Sequence, residues 1–286
     1  MQYTDLAIES AEILRTSTPN QTSTIPGVHV TETRDSQGTL TTRIIIETED
    51  ASQRMMKPCG TYVTIESSEL LDGTSETIEA VSEAVAAELR SLIPFHDRLK
   101  VLIVGIGNEK ITPDSLGPHT ISKVHVTRHL FVTYEAERDT RMANVAALHP
   151  GVMAQTGIET ADLVRQLIDL IQPEVLLVID SLAARALKRM NTTIQITDTG
   201  IAPGAGTKNH RVHLTQETVG CRVIAIGVPT VIHCQALLND PEAPDMIVTA
   251  TNIDQVIHDF STVIAEGLNR ALHPGLSVPG SERRCR

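Results

Sequence analysis

The sequence has no tryptophan, and only three phenylalanines and three tyrosines. So few aromatic faces leave little to stack on nucleobases or sugar rings. The four cysteines, Cys59, Cys221, Cys234 and Cys285, stand far apart and form no C-x-x-C pair. Free thiols in a reducing compartment fit that spacing better than a disulfide framework. Apolar runs are short, as at residues 101–104 and 175–179, against the roughly 20 residues that a membrane helix needs. The start, Met1-Gln2-Tyr3-Thr4-Asp5, is polar and acidic and lacks the basic end and apolar core of a secretory signal. Basic charge is also in deficit: 24 Lys and Arg against 35 Asp and Glu give a formal charge of −11. That balance repels a phosphate backbone and an anionic membrane surface. The expectation is an acidic, cytoplasmic protein with an aliphatic core, partnered by neither nucleic acid nor membrane. Its 286 residues make one large domain or two modest ones.

What is present changes its period along the chain. Residues 1–26, rich in Ser and Thr and closed by Pro26-Gly27, read as a mostly exposed leader. Alternating β-branched runs follow at 28–33 and 40–48, with Asp35-Ser36-Gln37-Gly38 as a hairpin loop between them. A third run covers 61–66. Then Ile78, Val81, Val85, Leu89 and Leu92 recur at helical spacing up to Pro94, which predicts an amphipathic helix over 75–93.

From Leu99 onward short apolar strands alternate with capped helices. Residues 101–104 end in Gly105-Ile106-Gly107-Asn108, and residues 130–134 read as a further strand. Thr156-Gly157-Ile158-Glu159 reads as a capping box opening a helix with Leu163, Leu167 and Leu170 on one face. Residues 174–179 form a strand finishing at Asp180, and 223–226 form another closed by Gly227-Val228-Pro229. A last helix runs from Asn252 to about Leu272, with Val256, Phe260, Val263 and Leu268 inward. The fold class is α/β: a mostly parallel sheet flanked by helices, with a small N-terminal β-rich subregion. The divisions expected are a leader at 1–26, a β-rich segment and helix at 27–98, an α/β core at 99–273 and a tail at 274–286.

In such sheets ligands gather beyond the carboxyl ends of the strands. Two carboxylates belong there: Asp180, delivered by its strand, and Asp114 in Thr112-Pro113-Asp114-Ser115-Leu116-Gly117-Pro118, just past the first α/β strand. Side by side they hold one proton between them at a pH where separate acids hold none. Such a pair supplies a base for water and an acid for a leaving amine. The plainer readings are a helix cap for Asp114 and a loop acid for Asp180. Asp198-Thr199-Gly200 is first a strand-to-turn transition, because a two-lobed aspartic protease needs the triplet twice. The glycine-rich loop 203–209 lacks phosphate-cradle spacing and reads as a mobile loop beside a cleft. His210 and His213 read as surface residues, with no second cluster at zinc spacing. Cys234 and His233 are adjacent, so on an extended chain they face opposite ways. Arg185 is a candidate neighbour of the carboxylates, or else part of a solvated helix face.

Several segments together, in order and over nearly the whole chain, resemble the spore germination protease family. They are Gly105-Ile106-Gly107-Asn108 with Thr112-Pro113-Asp114-Ser115-Leu116-Gly117-Pro118, Val126-Thr127-Arg128-His129-Leu130-Phe131, and Pro150-Gly151-Val152-Met153 leading to Thr156-Gly157-Ile158-Glu159-Thr160. Ile179-Asp180-Ser181-Leu182-Ala183-Ala184-Arg185, the stretch from Thr193 through Gly200, and Ile224-Ala225-Ile226-Gly227-Val228-Pro229-Thr230-Val231 complete them. The resemblance implies an atypical aspartic endopeptidase on a core similar to hydrogenase maturation proteases. It implies Asp114 and Asp180 as the catalytic pair, supported by Arg185, Asp198 and Glu159, with no metal and no cofactor. It also implies small acid-soluble spore proteins as substrates, a homotetramer, and a place in the cytoplasm of the spore core.

The family is made as inactive precursors that remove a short leader at a substrate-like sequence. Substrates are cut after an acidic residue and before an apolar one, with small and acidic residues following. Thr4-Asp5-Leu6-Ala7-Ile8-Glu9-Ser10 has that form, so the expected cut lies between Asp5 and Leu6, with residues 1–5 as propeptide. The alternative is that Leu6, Ile8 and Ile13 anchor a small helix. Lys208, Arg211 and Arg185 are the cations considered for the substrate's acidic side chain. The chain departs from the family at the glycine loop, at Ala154, at His233 and in a shorter stretch before the last helix. Rival readings are a metal-dependent hydrolase or maturation-type protease using the same carboxylates, with His233 as a further ligand, and a non-catalytic protein that binds spore proteins.

Overall fold

Strand-forming stretches from both ends of the sequence enter one sheet. A computed structural model describes residues 4–17, 25–67, 70, 73–93, 95–96, 98–134, 141–202 and 212–276. The first part contains α1 (Ala7–Ser17), β1 (Val28–Arg34), β2 (Leu40–Ile46), α2 (Glu49–Met55), β3 (Gly60–Glu66) and α3 (Ser75–Leu92). Next come β4 (Lys100–Gly105), α4 (Leu116–Ile121), α5 (Arg128–Tyr134), β5 (Asn144–Leu148), α6 (Met153–Thr156) and α7 (Thr160–Ile171). The rest comprises β6 (Val175–Ala184), β7 (Thr193–Thr197), α8 (Gln216–Val219), β8 (Arg222–His233), α9 (Cys234–Leu238), β9 (Ile247–Val248) and α10 (Ile253–Leu272). Pro94, the loop 203–209, His210, Arg211 and Cys285 lie outside the described residues.

The sheet order is β1-β2-β3-β7-β8-β6-β4-β5, with β9 on β8. Its α/β half, β5-β4-β6-β8, is parallel. The N-terminal hairpin and β3 continue the same sheet antiparallel through β7. They are therefore an extension of the core sheet rather than a body packed on it.

Alternation explains the two layers. Val101, Ile103, Leu177 and Ile179 face α3 and α10, where Val85, Leu89, Phe260 and Val263 are buried. Leu102, Val104, Leu176 and Val178 face α7 through Ala161, Val164 and Ile168. A strand covered on both faces reads as a continuous apolar run, because both of its side-chain rows need burial. The helices over 75–92 and 253–272 form where the periodicity places them.

Four expectations are corrected. Residues 130–134 belong to helix α5, not to a strand; a short apolar run does not set its own period, and only Phe131 is buried there. The turn at 156–159 is not a capping box. Thr156 ends α6, Gly157 takes a left-handed φ of 71°, and Glu159 caps α7 with its backbone alone. Asp180 does not finish its strand: β6 runs to Ala184 and β8 to His233, paired from Asp180↔Gly227 to Ala184↔Ile232. Arg185 consequently lies on neither strand nor helix. Finally, the described part of the leader is not mostly exposed. Thr4 and Leu6 to Ala11 are buried against β2, α2 and the end of β6.

Two glycines bring the Asp114 turn onto the sheet. A Cβ on Gly117 would stand 2.2 Å from the Ile106 carbonyl oxygen, and one on Gly105 would stand 2.4 Å from the Gly117 oxygen. The start of α4 therefore rests directly on the end of β4. Because the obstacle is backbone, Gly117→Ala is expected to cost about 1–3 kcal/mol. A thermal melt should show the midpoint lowered by several degrees, whereas an unchanged midpoint would disprove the close contact.

Candidate active site

Asp114 and Asp180 reach the carboxyl edge of the sheet by different routes. Asp180 follows Ile179, whose carbonyl accepts from the Ile106 N–H at 2.8 Å, so the ends of β6 and β4 are tied together. Its side chain is buried, and its Oδ1 accepts from the Ser181 N–H at 2.8 Å. Its partner across the ladder, Gly227, carries no Cβ because one would stand 2.5 Å from Leu182. Asp114 ends the 3-10 turn Thr112–Asp114. The Asn108 N–H donates to both its carbonyl oxygen, at 3.0 Å, and its Oδ2, at 2.9 Å. Gly107 permits this approach at a φ of 119°, since a Cβ there would lie 2.0 Å from the Asp114 oxygen. The Thr230 hydroxyl donates to the Pro113 carbonyl at 2.7 Å and pins the turn to β8. Asp180 thus lies one residue past the last β4–β6 pair, Gly105↔Ile179, and Asp114 lies in the turn that follows β4.

A cavity of about 290 Å³ opens beside Asp180, lined also by Asp5, Lys57, Tyr62, Gln195 and Thr199. Asp114 lies outside this lining. Burial pushes the Tyr62 phenol above its ordinary range. Burial likewise lowers the Lys57 ammonium, against the opposing pull of Asp5 and Glu9.

Asp5 brings the N-terminal segment to the lining of this cavity, and both main-chain amides and the Lys57 and Gln195 side chains hold it. The Ala183 N–H donates to Asp5 Oδ2 at 2.8 Å, and the Asp5 N–H returns to the Ala183 oxygen at 3.2 Å. Four residues on, buried Glu9 accepts from the Arg185 N–H at 2.9 Å and the Ala186 N–H at 2.7 Å, with the Thr4 hydroxyl as a third donor. Charge-assisted bonds of this kind are about twice as strong as neutral ones. Leu6 is fully buried between them, worth about 1.5–3 kcal/mol. The Asp5 carbonyl oxygen accepts from Lys57 Nζ at 3.0 Å and Gln195 Nε2 at 3.1 Å.

Of the residues singled out from sequence, Asp5, Leu6, Asp180 and the Arg185 amide meet in this region. The contact from Arg185 to Glu9 uses its backbone. Asp198 has a structural role at a strand end, where its Oδ1 accepts from the Thr61 N–H at 2.8 Å. Glu159 sits at the start of α7 and outside the cavity lining. His233 ends β8, and Cys59, Cys221 and Cys234 are free thiols. Among the described residues no cluster of three His, Cys, Asp or Glu side chains is arranged to hold a metal ion. None of their helices is long and apolar enough to cross a membrane. Lys57 and Gln195 were not legible as site residues. The one signal was a glutamine inside the β-branched run Thr193-Ile194-Gln195-Ile196-Thr197.

Asp5 of the N-terminal segment and buried Asp180 therefore line one cavity. The family described as germination protease matches residues 7–243. A germination protease of Clostridium perfringens is 35% identical, covering 96% of this chain and 95% of its own. One from Caldanaerobacter subterraneus is also 35% identical over the same shares. A third, from Bacillus cereus, is 39% identical over 92% of this chain and 69% of its own. Among solved structures, a NiFe hydrogenase maturation protease, HycI from Thermococcus kodakarensis, aligns with 63% of this chain and 98% of its own, at 16% identity and a TM-score of 0.36. The protein is a protease. It belongs to the germination protease family and acts in spore germination.

Helix α1 is anchored by charge. Burial raises the Glu12 carboxyl, but the hydrogen bond from Lys188 and the charge and hydrogen bond of Arg189 outweigh it and hold the group below the usual carboxylate range. Arg189 is itself buried and also paired with Glu66. A carboxyl lowered by folding stabilises fully above its unfolded value and stops doing so as pH falls through its folded value. Glu12→Gln should therefore be less stable than the parent near neutral pH, with the difference vanishing in acid. Denaturant midpoints measured across that range check this, and a difference that persists in acid would contradict it.

Proposed function

We propose that this chain is the precursor of an endopeptidase that removes its own residues 1–5 and then initiates degradation of small acid-soluble spore proteins. The observation that carries this reading is that Asp5 lines the cavity beside Asp180, while the side chains of Asp5 and Glu9 are both bonded to main-chain amides at the end of β6. An external substrate with an acidic residue before the cut and another four residues later would find the same donors. While the segment stays in place it fills the position such a substrate needs, which makes the uncut chain a self-blocked form.

Asp114 and Asp180 act as the catalytic pair. One carboxylate takes a proton from water as the water oxygen bonds to the Asp5 carbonyl carbon, and the carbonyl electron pair moves to oxygen. The pair returns as the bond to Leu6 nitrogen breaks, and the protonated carboxyl supplies the proton that this nitrogen needs. The products are a new carboxylate on Asp5 and a free amine on Leu6. Two neighbouring carboxyls divide these tasks because they resist ionising together. On this reading the processed enzyme is a homotetramer in the cytoplasm of the spore core and needs neither metal nor other cofactor.

The intact mass of the purified full-length chain, followed at mildly acidic pH, tests the reading. The parent should lose residues 1–5, while Asp114→Asn and Asp180→Asn remain whole and folded. A parent that keeps its mass, or an aspartate variant processed at the parental rate, would sink the assignment. Cleavage that a chelator stops and added metal restores would favour a metal-dependent hydrolase instead.

A further inference from the structure

Two side chains at the Asp5–Leu6 bond take no part in the proton transfers above. Lys57 Nζ lies 3.0 Å from both the Thr4 and the Asp5 carbonyl oxygens, and Gln195 Nε2 lies 3.1 Å from the Asp5 oxygen. The orientation of Gln195 follows from its other contact. The Ala7 N–H, which can only donate, meets Gln195 Oε1 at 2.7 Å and so turns the amide NH₂ toward Asp5. The Asp5 oxygen thus receives two donors from separate elements, the turn after α2 and the middle of β7. An oxygen that gathers negative charge as its carbon becomes tetrahedral is stabilised most by donors already in place.

We propose that Lys57 and Gln195 form the oxyanion site of this protease, with Lys57 the catalytic cation that stabilises charge on the oxygen of the scissile carbonyl. The inference rests on the self-processing reading, in which Asp5–Leu6 is the bond that is cut. Both donors are rigidly presented. The Thr48 hydroxyl caps the start of α2, and Met56 leaves the helix with a φ of 52°. The Lys57 N–H then bonds back to the Ser52 oxygen at 3.2 Å. Beyond Lys57, the Pro58 carbonyl accepts from the Tyr62 hydroxyl at 2.9 Å. Gln195 is buried within a strand that is paired on both sides.

A tether for the leader would need only neutral donors to its carbonyls, without the desolvation that burying an ammonium entails. The ionisable groups that act on Lys57 are Asp5 and Glu9 of the N-terminal segment, and Asp180 of β6, Tyr62 of β3 and His213 ahead of α8 line the same cavity. Desolvation lowers the Lys57 ammonium against the pull of Asp5 and Glu9. A cleavage step that needs this cation will fade with rising pH sooner than an ordinary lysine would dictate.

The test follows conversion of the full-length chain to its 6–286 form by mass. The parent is compared with Lys57→Met, Lys57→Arg, Gln195→Leu and Asp180→Asn across pH, each variant first shown to melt near the parental midpoint. Lys57→Met should slow conversion by about 10²–10³-fold, the loss typical of removing one oxyanion donor. Lys57→Arg should keep most of the rate and lose the alkaline decline, because a guanidinium does not titrate there. Conversion by Lys57→Met at the parental rate overturns the proposal, and so does Lys57→Arg being as slow as Lys57→Met, which would mark a shape-specific tether. If Lys57→Met does not fold, Gln195→Leu decides: a slowing of tenfold or more supports the site and an unchanged rate overturns it. A parent never cut between Asp5 and Leu6 removes the processing reading and this one together. A parent that is cut, with Asp180→Asn inert and Lys57→Met unimpaired, removes this one alone.

Discussion

The parallel ladder between β6 and β8 is the constraint on which the rest of the structure depends. Its first half, from Val175↔Arg222 to Ile179↔Ile226, lies in the aliphatic core and is covered on both faces. Its second half continues past Asp180 to Ala184↔Ile232, with a register shift between Leu182 and Ala183. Irregularities of this kind bend a strand and re-aim its backbone. Here the main chain around the shift offers the Ala183, Arg185 and Ala186 N–H groups to the two acidic side chains of the N-terminal segment. A ladder that stopped at Asp180 would present a carboxylate and nothing with which to hold a peptide against it.

The same extension explains how a short polar leader stays ordered. Ordering costs about 1–2 kcal/mol per residue in backbone entropy alone, and Thr4 to Ala11 recover it by two means. Leu6, Ala7, Ile8 and Ala11 pack against Ile44, Met55 and Leu182. The polar groups of buried Thr4 and Glu9 and of half-buried Asp5 are bonded to one another, to the amides past the register shift, and to Lys57 and Gln195. Buried polar groups are tolerated only when satisfied in this way. The segment and its groove are complementary in charge as well as in shape, which is the requirement for both a substrate and an internal inhibitor.

Much of the scaffold was legible because one kind of interaction controls it. The period of Ile78, Val81, Val85 and Leu89 could produce only a helix buried along one stripe, and that helix is α3. The apolar runs at 101–104 and 175–179 could satisfy both of their rows only inside a covered sheet. Asp180 was picked out as a strand-end acid, whereas its strand runs on to Ala184. Residues 130–134 were not legible, since three apolar residues fit either period and only Phe131 is buried in the helix they form. The reach of β6 was not either: Ser181 to Ala184 carry no strong strand preference and are extended because β8 pairs with them.

By itself the sequence determined the α/β class, the long helices and the acidic-apolar form of residues 4–10, all of which rest on spacing between near neighbours in the chain. Tertiary structure alone decided that residues 4–11 pack against the sheet, that the Ala183, Arg185 and Ala186 amides receive Asp5 and Glu9, and that Lys57 and Gln195 converge on one carbonyl. Those contacts join residues separated by 52 to 190 positions. Backbone amides are the same at every residue, so no pattern of side chains announces which of them a folded sheet will leave unpaired.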